Sequence, residues 1–292
     1  MLLQMICVSN GILHGTMKIK NLLNILNFCV IVHINWWACL IISVGYDQFC
    51  ILLERRIKKL NIILSVLFIL ALANNVQAQD AMISYPDPSR FEDVISAFEK
   101  EAKKKRPPRK AIVCSGSSGM SQWHDQLYDD LAPLTVIPRG FAGSNLNDQI
   151  YFADRIYIPY RPRAVMLYQG ENDISLGASP EQVLMKFREL VQNIRSKLPK
   201  VRFYFISIKP SPSPNRWGLW PKMEEANLLI EKECADNEYL NFIDVASLLL
   251  GQEGKPKRKF FDKNGLYLNS KGYQIWREAV RSVIIEGEWP HE

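Results

Sequence analysis

The fold of this chain is decided by the stretch Ala111-Ile112-Val113-Cys114-Ser115-Gly116-Ser117-Ser118-Gly119. Its first four residues form a short apolar run of the kind that becomes a buried strand. The serines and glycines that follow are typical of a tight turn into a helix. A serine on such a turn is exposed and lies near helix N-terminal amides, which stabilise a developing oxyanion. The stretch therefore predicts a strand that ends beside a candidate nucleophilic serine.

The same alternation of short apolar runs and amphipathic segments continues toward the C-terminus. Runs rich in β-branched and aromatic residues predict strands at 111–114, 135–137, 164–168, 201–208 and 240–244. Apolar residues at helical spacing predict helices at 91–98, 122–131, 145–154, 180–198, 221–236 and 270–285. Continuous apolar strands separated by helices predict one three-layer α/β/α domain of flavodoxin-like wind, with a parallel sheet of about five strands. Ligands of such folds bind outside the carboxyl ends of the strands.

A secretory signal peptide is predicted at residues 52–78. Basic residues at 55–59 precede an apolar run at 60–73, and Val76-Gln77-Ala78 places small residues at the spacing that signal peptidase reads. The apolar run is short for a membrane span, and an uncleaved membrane anchor is the alternative. Residues 79–292 are therefore expected to form one exported domain, periplasmic or extracellular, which is membrane-anchored if the leader is retained.

Residues 1–51 form a hydrophobic leader for which two interpretations stay open. Residues 22–44 are apolar enough to span a bilayer, although Asn24, Asn27, His33 and Asn35 interrupt them. The first interpretation is a misassigned start, because signal sequences normally lie at the true N-terminus. The second is a membrane hairpin with the basic 55–59 loop inside, which would also direct the following chain outward.

The composition restricts the partners of the chain. The formal net charge of +6 is modest for 292 residues, and the densest basic cluster, at 100–109, is interpreted as a solvated helix end. Neither aromatic-basic interleaving nor metal-ligand spacing is present, so we predict no nucleic-acid partner, no metal and no cofactor. Cys114 and Cys234, which follow the leader, are interpreted as buried free thiols.

Two further segments carry weak signals at predicted strand ends. The second strand ends in Ile137-Pro138-Arg139-Gly140-Phe141-Ala142-Gly143-Ser144, where glycine lets a backbone amide face a ligand. The third ends in Tyr168-Gln169-Gly170-Glu171-Asn172-Asp173, where a side-chain amide could donate to an oxyanion. A plain loop and a helix cap are the simpler interpretations of each segment taken alone.

The order of these segments resembles that of the SGNH (GDSL-type) hydrolase family. The resemblance spans about residues 111–280 and includes Ile208-Lys209-Pro210-Ser211-Pro212, Arg216 and Trp217. It is closest to the bacterial esterase-like branch in which Gly-Ser-Ser replaces Gly-Asp-Ser. The resemblance implies an ester hydrolase whose nucleophile is a serine.

The resemblance also implies individual roles. Ser118 matches the nucleophile, and Ser117 replaces the aspartate of the first block. The backbone amides of Ser118 and Gly143 and the side chain of Asn172 match the oxyanion hole. Arg139 and Trp123 match positions with packing or loop-anchoring roles.

The final block departs from the family pattern. The family reads Asp-Gly-Leu-His-Leu-Asn, whereas this chain reads Asn264-Gly265-Leu266-Tyr267-Leu268-Asn269. A serine hydroxyl is a poor nucleophile near neutral pH unless a positioned base accepts its proton. Because Asn264 and Tyr267 occupy the acid and base positions, efficient turnover is not expected. An oxyanion hole alone can retain roughly 10³–10⁴-fold catalysis over water, so slow hydrolysis of activated esters is compatible with the sequence.

No other residue is an evident substitute for the missing base. Near neutral pH a tyrosine such as Tyr267 is a neutral phenol, which donates rather than accepts a proton. His124 lies six residues beyond Ser118 and well round the predicted helix. Glu288 and His291 are separated by two residues, like the acid and base of the family's final block. They follow the last predicted helix, however, and lack the expected sequence context. Asp262 has no histidine to orient.

Two functional hypotheses follow. The first is an exported hydrolase-like protein, impaired in turnover, that acts on a small-molecule or carbohydrate acyl or acetyl ester through Ser118. The alternative is a non-catalytic ligand-binding pseudoenzyme of the same fold. Trp217 and Trp220 are interpreted as packing residues, with a sugar-stacking platform as the less favoured option.

Overall fold

The computed structural model describes residues 56–60, 65 and 83–292, and its central feature is a five-stranded parallel sheet. The strands are β1 Ile112–Gly116, β2 Val136–Gly140, β3 Ala164–Tyr168, β4 Arg202–Ile206 and β5 Leu240–Ile243. They lie in the order β2-β1-β3-β4-β5, and every neighbouring pair is parallel. The predicted flavodoxin-like wind is therefore confirmed.

Helices connect the strands and cover both faces of the sheet. Their bounds are α1 Glu92–Lys104, α2 Ser118–Asp130, α3 Leu146–Tyr151, α4 Ala153–Ile156, α5 Glu171–Ser175, α6 Pro180–Lys197, α7 Pro214–Trp217, α8 Trp220–Ala235, α9 Ala246–Leu249 and α10 Ser270–Glu288. Short 3₁₀ turns occupy Pro88–Phe91, Ile158–Tyr160, Arg258–Phe260 and Trp289–His291.

Alternating residues of the strands pack into two separate hydrophobic cores, one on each face of the sheet. In β1, Val113 packs into the core that holds Phe187 of α6 and Ile230 of α8. Its neighbour Ile112 packs into the opposite core, with Trp123 of α2 and Trp276 of α10. Successive side chains of a strand point to opposite faces, so a strand that is apolar throughout must be covered on both sides. This arrangement is the predicted three-layer α/β/α architecture.

Several predicted helix boundaries differ from the structure, the largest difference being the end of α1 at Lys104 rather than at residue 98. Helix α2 begins at Ser118 rather than at residue 122, so the small residues of the turn already belong to the helix. The helix predicted at 145–154 is divided into α3 and α4 at Phe152, whose backbone (φ −93°, ψ 8°) ends α3. The Phe152 side chain is fully buried and contacts Phe141 edge to face, with ring centroids 6.4 Å apart. Tertiary packing of this ring outweighs the continuous helical pattern.

The N-terminal predictions lie almost wholly outside the described residues. The chain divides into two units, Met1–Ala81 and Met82–Glu292. Only residues 56–60 and 65 of the predicted signal peptide are described, and 56–60 are helical. No helix among the described residues has the length and apolarity needed to cross a bilayer. Cys114 and Cys234 are buried free thiols, as predicted.

Candidate active site at the carboxyl ends of the strands

Ser118 is the first residue of α2 and follows the carboxyl end of β1 by two positions. The preceding Ser117 has an extended backbone, so the chain turns sharply between strand and helix. The first amides of a helix lack intrahelical acceptors and are therefore available to an anion. The Ser118 side chain is half-buried, and its hydroxyl has no hydrogen-bond partner among the described residues. The Ser118 hydroxyl is therefore not engaged by another group in the part of the chain that the structure describes.

The two other predicted oxyanion-hole residues follow the strands on either side of β1. Gly143 lies in the loop after β2 with φ +85°, a conformation that glycine adopts without strain. Asn172 lies in α5, after β3, and its Nδ2 donates to the Ser144 carbonyl at 2.8 Å. A carboxamide nitrogen carries two N–H groups, so one holds the side chain in place and the other remains for a ligand.

Hydrogen bonds tie these three strand ends together. The Phe141 amide donates to the Gly116 carbonyl at 2.9 Å, and the Ser144 hydroxyl donates to the same carbonyl at 3.3 Å. Gln169 Nε2 donates to the Ser144 hydroxyl at 2.8 Å. The loops after β1, β2 and β3 thus form one linked unit, which holds Ser118, Gly143 and Asn172 at the same edge of the sheet.

The final block is joined to the Ser118 turn through α10. The Tyr273 hydroxyl donates to the Gly119 carbonyl at 2.9 Å. A Cβ on Gly119 would lie 3.0 Å from both Trp276 and Tyr168, so the close approach of α10 favours glycine next to Ser118. The C-terminal helix α10 is therefore anchored beside the candidate nucleophile.

Asn264 and Tyr267 lie on the loop between the 3₁₀ turn Arg258–Phe260 and α10. Asn264 is exposed, and Tyr267 is 36% exposed. Neither side chain forms a hydrogen bond within the part of the chain that the structure describes. The side chains at the acid and base positions are therefore not hydrogen-bonded to each other.

Asp262 stabilises the turn of the same loop through its hydrogen bonds. Its carboxylate accepts a hydrogen bond from the Leu266 amide at 3.1 Å, and its own amide donates to the Tyr267 carbonyl at 2.8 Å. The Gly265 carbonyl in turn accepts from the Ser211 hydroxyl at 2.6 Å and from the Ser213 amide at 3.2 Å. Asp262 thus shapes the loop, and the loop is docked on the segment that follows β4.

Neither histidine in the described residues is placed to replace the base. His124 lies six residues along α2 from Ser118, which corresponds to a rise of about 9 Å and a rotation of roughly 120° away. His291 lies in a cavity with Lys110 and Arg202, at the amino ends of β1 and β4. A strand of five residues spans about 16 Å, so His291 is at the wrong edge of the sheet.

The residues predicted to have packing roles are structural. Trp123 is fully buried, and the Arg139 side chain is 2% exposed, with its Nε donating to the Tyr160 hydroxyl at 2.8 Å. Trp220 is buried in the core, and Trp217 packs against that core. The sugar-stacking option for the tryptophans gains no support from these positions.

A buried charged cluster beside Asn172 was not predicted from the sequence. Lys209 Nζ lies 2.8 Å from Glu171 Oε2, and the Tyr168 hydroxyl donates to the same oxygen at 2.8 Å. Arg216 contacts Glu171 Oε1 at 3.3 Å and Asn172 Oδ1 at 3.4 Å. Glu171 and Lys209 are only 5% and 3% exposed. Arg216 therefore places a positive charge against the side chain predicted to stabilise the oxyanion.

Glu171 is ionised in this cluster. Burial alone would raise the pKa of its carboxyl, but the charge and hydrogen bond of Lys209, with Tyr168 and Arg216, lower the pKa below its ordinary value. A weak sequence signal existed, since Glu171 and Lys209 are charged residues that follow the apolar strands β3 and β4. Their pairing depended on β3 and β4 being neighbours, which the sequence does not state.

A second buried carboxyl, that of Asp173, lies behind Asn172. It accepts hydrogen bonds from the Leu146 amide at 3.1 Å and from the Tyr85 hydroxyl at 3.0 Å. Burial, with a smaller contribution from the charge of Asp148, raises its pKa to about 6. Asp173 thereby links the β3 end to the segment that follows Gly143.

The raised pKa of Asp173 predicts a pH effect on stability. The unfolded carboxyl has a pKa of about 4, so between about pH 4 and pH 6 the folded state binds more protons. The protonated carboxyl therefore contributes stability that is fully present below about pH 4 and is lost as the pH rises through 6. We expect the free energy of unfolding to fall by on the order of 3 kcal/mol across this range, relative to Asp173→Asn. Urea denaturation of both proteins at several pH values measures this difference, and parallel pH curves would contradict the assignment.

Comparison with known proteins places the chain in a family. The model of the GDSL-like Lipase/Acylhydrolase family matches residues 110–275, which is more than half of the chain. The matched region includes all five predicted site residues. No curated protein sequence gives a significant match.

Solved structures share the fold at low sequence identity. A GDSL-like lipase from Bacteroides thetaiotaomicron superposes with a TM-score of 0.59 at 17% identity, covering 66% of this chain and 98% of that one. A family 3 carbohydrate esterase from Clostridium thermocellum gives 0.50 at 15% identity, covering 61% and 96%. A catalytic mutant of the acetylxylan esterase Axe2 from Geobacillus stearothermophilus gives 0.50 at 13% identity, covering 62% and 96%. At these identities the likeness shows the fold.

Proposed function

The chain belongs to the GDSL-like lipase/acylhydrolase family, and from this premise we propose that it is an exported hydrolase-like protein that acts on acyl or acetyl esters through Ser118. The observation that carries the proposal is the position of the Ser118 hydroxyl. It has no hydrogen-bond partner among the described residues and stands at the N-terminus of α2, at the edge shared with Gly143 and Asn172. An unoccupied hydroxyl beside three potential oxyanion donors suits attack on an ester carbonyl.

The proposed first step is acylation of Ser118. The Ser118 oxygen attacks the ester carbonyl, its proton passes to solvent or to the departing alcohol, and the C–O bond of the leaving group breaks. The amides of Ser118 and Gly143 and the free N–H of Asn172 hold the oxyanion of the tetrahedral intermediate. Arg216, which contacts the Asn172 side chain at 3.4 Å, adds positive charge near this oxygen.

Turnover is proposed to be slow. In an enzyme of this kind a histidine accepts the serine proton, and general base catalysis is typically worth about 10²–10⁴-fold. Asn264 cannot orient a base by charge, and Tyr267 supplies a phenol in place of the imidazole that would accept the proton. The same deficiency slows the attack of water on the acyl-enzyme. With an activated ester, whose alcohol leaves without needing a proton, deacylation is therefore the slower step and acylated Ser118 should accumulate.

The ligand is proposed to be a small-molecule or carbohydrate ester. Family membership supports an acyl ester, and two structural neighbours are described as a carbohydrate esterase and an acetylxylan esterase. The basic and apolar pattern of residues 52–78 supports export, with the protein periplasmic or extracellular, or membrane-anchored if the segment is retained. N-terminal sequencing of the mature protein tests export, since cleavage after Ala78 would leave Gln79 as the first residue.

A non-catalytic binding protein is the second candidate. It is favoured by one observation, namely that Asn264 and Tyr267 form no hydrogen bond within the described residues. A cleft that keeps its oxyanion donors but lacks a base would still bind the carbonyl or carboxylate of a ligand.

Acylation of Ser118 distinguishes the two candidates. The purified full chain is incubated with an activated acetyl ester and analysed by intact-mass spectrometry beside Ser118→Ala. We expect the wild type to gain one acetyl group and Ser118→Ala to gain none, because deacylation is slow without a base. If neither protein is acetylated while an acetylated sugar still raises the Tm, the binding protein is the correct assignment.

A further inference from the structure

A cavity of about 640 Å³ opens at the edge of the sheet opposite Ser118. Its walls come from segments that precede β1, β3 and β4 and from the C-terminus. The basic residues among them include Lys110, Arg161, Arg163, Lys200 and Arg202. The volume lies within the range of small-molecule sites, which is roughly 300–1,000 Å³.

A buried glutamate, Glu288, positions two of these arginines. Glu288 is fully buried and lies 2.9 Å from Arg163 and 2.7 Å from Arg202. Arg163 also pairs with Glu292. The guanidinium groups are thus held in place at the cavity wall, and the carboxylates of Glu288 and Glu292 balance their two charges.

Positive charge nevertheless remains in excess. Lys110, Arg161 and Lys200 are exposed and have no carboxylate partner within the described residues. The cavity is lined by six Lys and Arg side chains, and the carboxylates paired with them are Glu288, Glu292 and Asp154, the last through Lys197. Three positive charges are therefore left for a ligand, with His291 of the same wall able to add a donor.

Backbone strain is concentrated at the same cavity. Lys110 (φ 59°) and Arg161 (φ 45°) are the non-glycine residues with positive φ in the part of the chain that the structure describes. The left-handed region is unfavourable for side chains with a Cβ, and such residues occur disproportionately at ligand sites. Arg163 Nη1 donates to the Lys110 carbonyl at 2.7 Å and so supports one of them. A glycine would relieve the strain at either position but would remove a charge from the cavity.

We propose that this cavity binds a small ligand that carries a phosphate group. Lys110, Arg161 and Lys200 supply uncompensated charge, and guanidinium and ammonium donors match phosphate oxygens. Leu198 and Pro199 supply apolar wall for the organic part of the ligand. The site is independent of the ester site, because the length of the strands separates it from Ser118.

Calorimetric titration of the full chain with inorganic phosphate, glycerol 3-phosphate and dihexanoyl phosphatidic acid tests the proposal. We expect saturable binding that weakens as salt is raised. The double variant Lys110→Gly, Arg161→Gly should bind at least about tenfold more weakly, while its Tm without ligand is unchanged or higher because the strain is relieved. If dihexanoyl phosphatidic acid binds more tightly than glycerol 3-phosphate, the natural ligand is a lipid headgroup. If the two bind equally, the natural ligand is a soluble phosphate ester.

Matched controls make the outcome specific to the cavity. The variant Lys222→Ser, Lys255→Ser removes the same charge from exposed positions elsewhere and should bind like the wild type. Ser118→Ala should also bind like the wild type, so loss of the ester function leaves this result untouched. Absence of binding to every phosphate, or equal affinity of the two double variants, would overturn the proposal.

Discussion

Replacing Asn264 by aspartate together with Tyr267 by histidine is expected to raise the rate of hydrolysis of an activated acetyl ester by about 10²–10⁴-fold. A histidine at 267 would accept the proton of Ser118, and an aspartate at 264 would orient the ring and stabilise its charged form. Neither change alone should suffice, because an aspartate without a histidine has nothing to orient. The histidine alone would lack the charge that fixes its tautomer.

The expected gain rests on how firmly the rest of the site is held. Gly265, with φ +75°, accepts hydrogen bonds from Ser211 and Ser213, so the loop has a defined conformation. Arg258 donates to two carbonyls of the same loop, those of Asp262 and Lys263. Since the loop is supported by contacts that use neither the Asn264 nor the Tyr267 side chain, the two replacements should leave its fold unchanged.

The measurement is the initial rate with a chromogenic acetyl ester, for the wild type, each single variant and the double variant. The double variant in a Ser118→Ala background is the control, and it should lose the gain entirely. A double variant that keeps the wild-type Tm but gains less than about tenfold would show that the loop does not bring residue 267 to Ser118.

Replacing Glu171 by leucine is expected to destabilise the protein by about 3–5 kcal/mol, because it leaves Lys209 buried without a counter-charge. The Lys209 side chain is 4% exposed, so water cannot replace the carboxylate. The hydrogen bond that the Tyr168 hydroxyl donates to Glu171 is lost in the same step. Urea denaturation of the full chain measures the change in the free energy of unfolding.

Two controls separate the buried pair from a general charge effect. The exposed pair Lys255–Glu253 offers the matched case, and Glu253→Leu should change stability by less than about 1 kcal/mol. Adding Lys209→Met to Glu171→Leu should recover most of the loss, since replacing both partners of a buried pair is often close to neutral. A loss below about 1 kcal/mol for Glu171→Leu would mean that Lys209 reaches solvent by moving.

The family and the missing base could be read from residue identity. Ser118, Gly143 and Asn172 follow predicted strands, and parallel strands bring their carboxyl ends to one edge. The substitutions at Asn264 and Tyr267 were visible because Gly265, Leu266 and Leu268 around them kept the register. Local periodicity was a poorer guide to helix ends, as α2 and the break at Phe152 show, because buried contacts decide where a helix begins and ends.

The sequence by itself determined the fold class and the identity of the groups in the candidate site, since both depend on apolar periodicity and on residue types at strand ends. The tertiary structure alone decided which charges meet. Glu171 and Lys209 are 38 residues apart, and Arg163 and Glu288 are 125 apart. Their pairing depends on strand order and on where α10 ends, and no local pattern encodes either. The positive charge beside Asn172 and the basic cavity at the opposite edge are therefore properties of the folded chain.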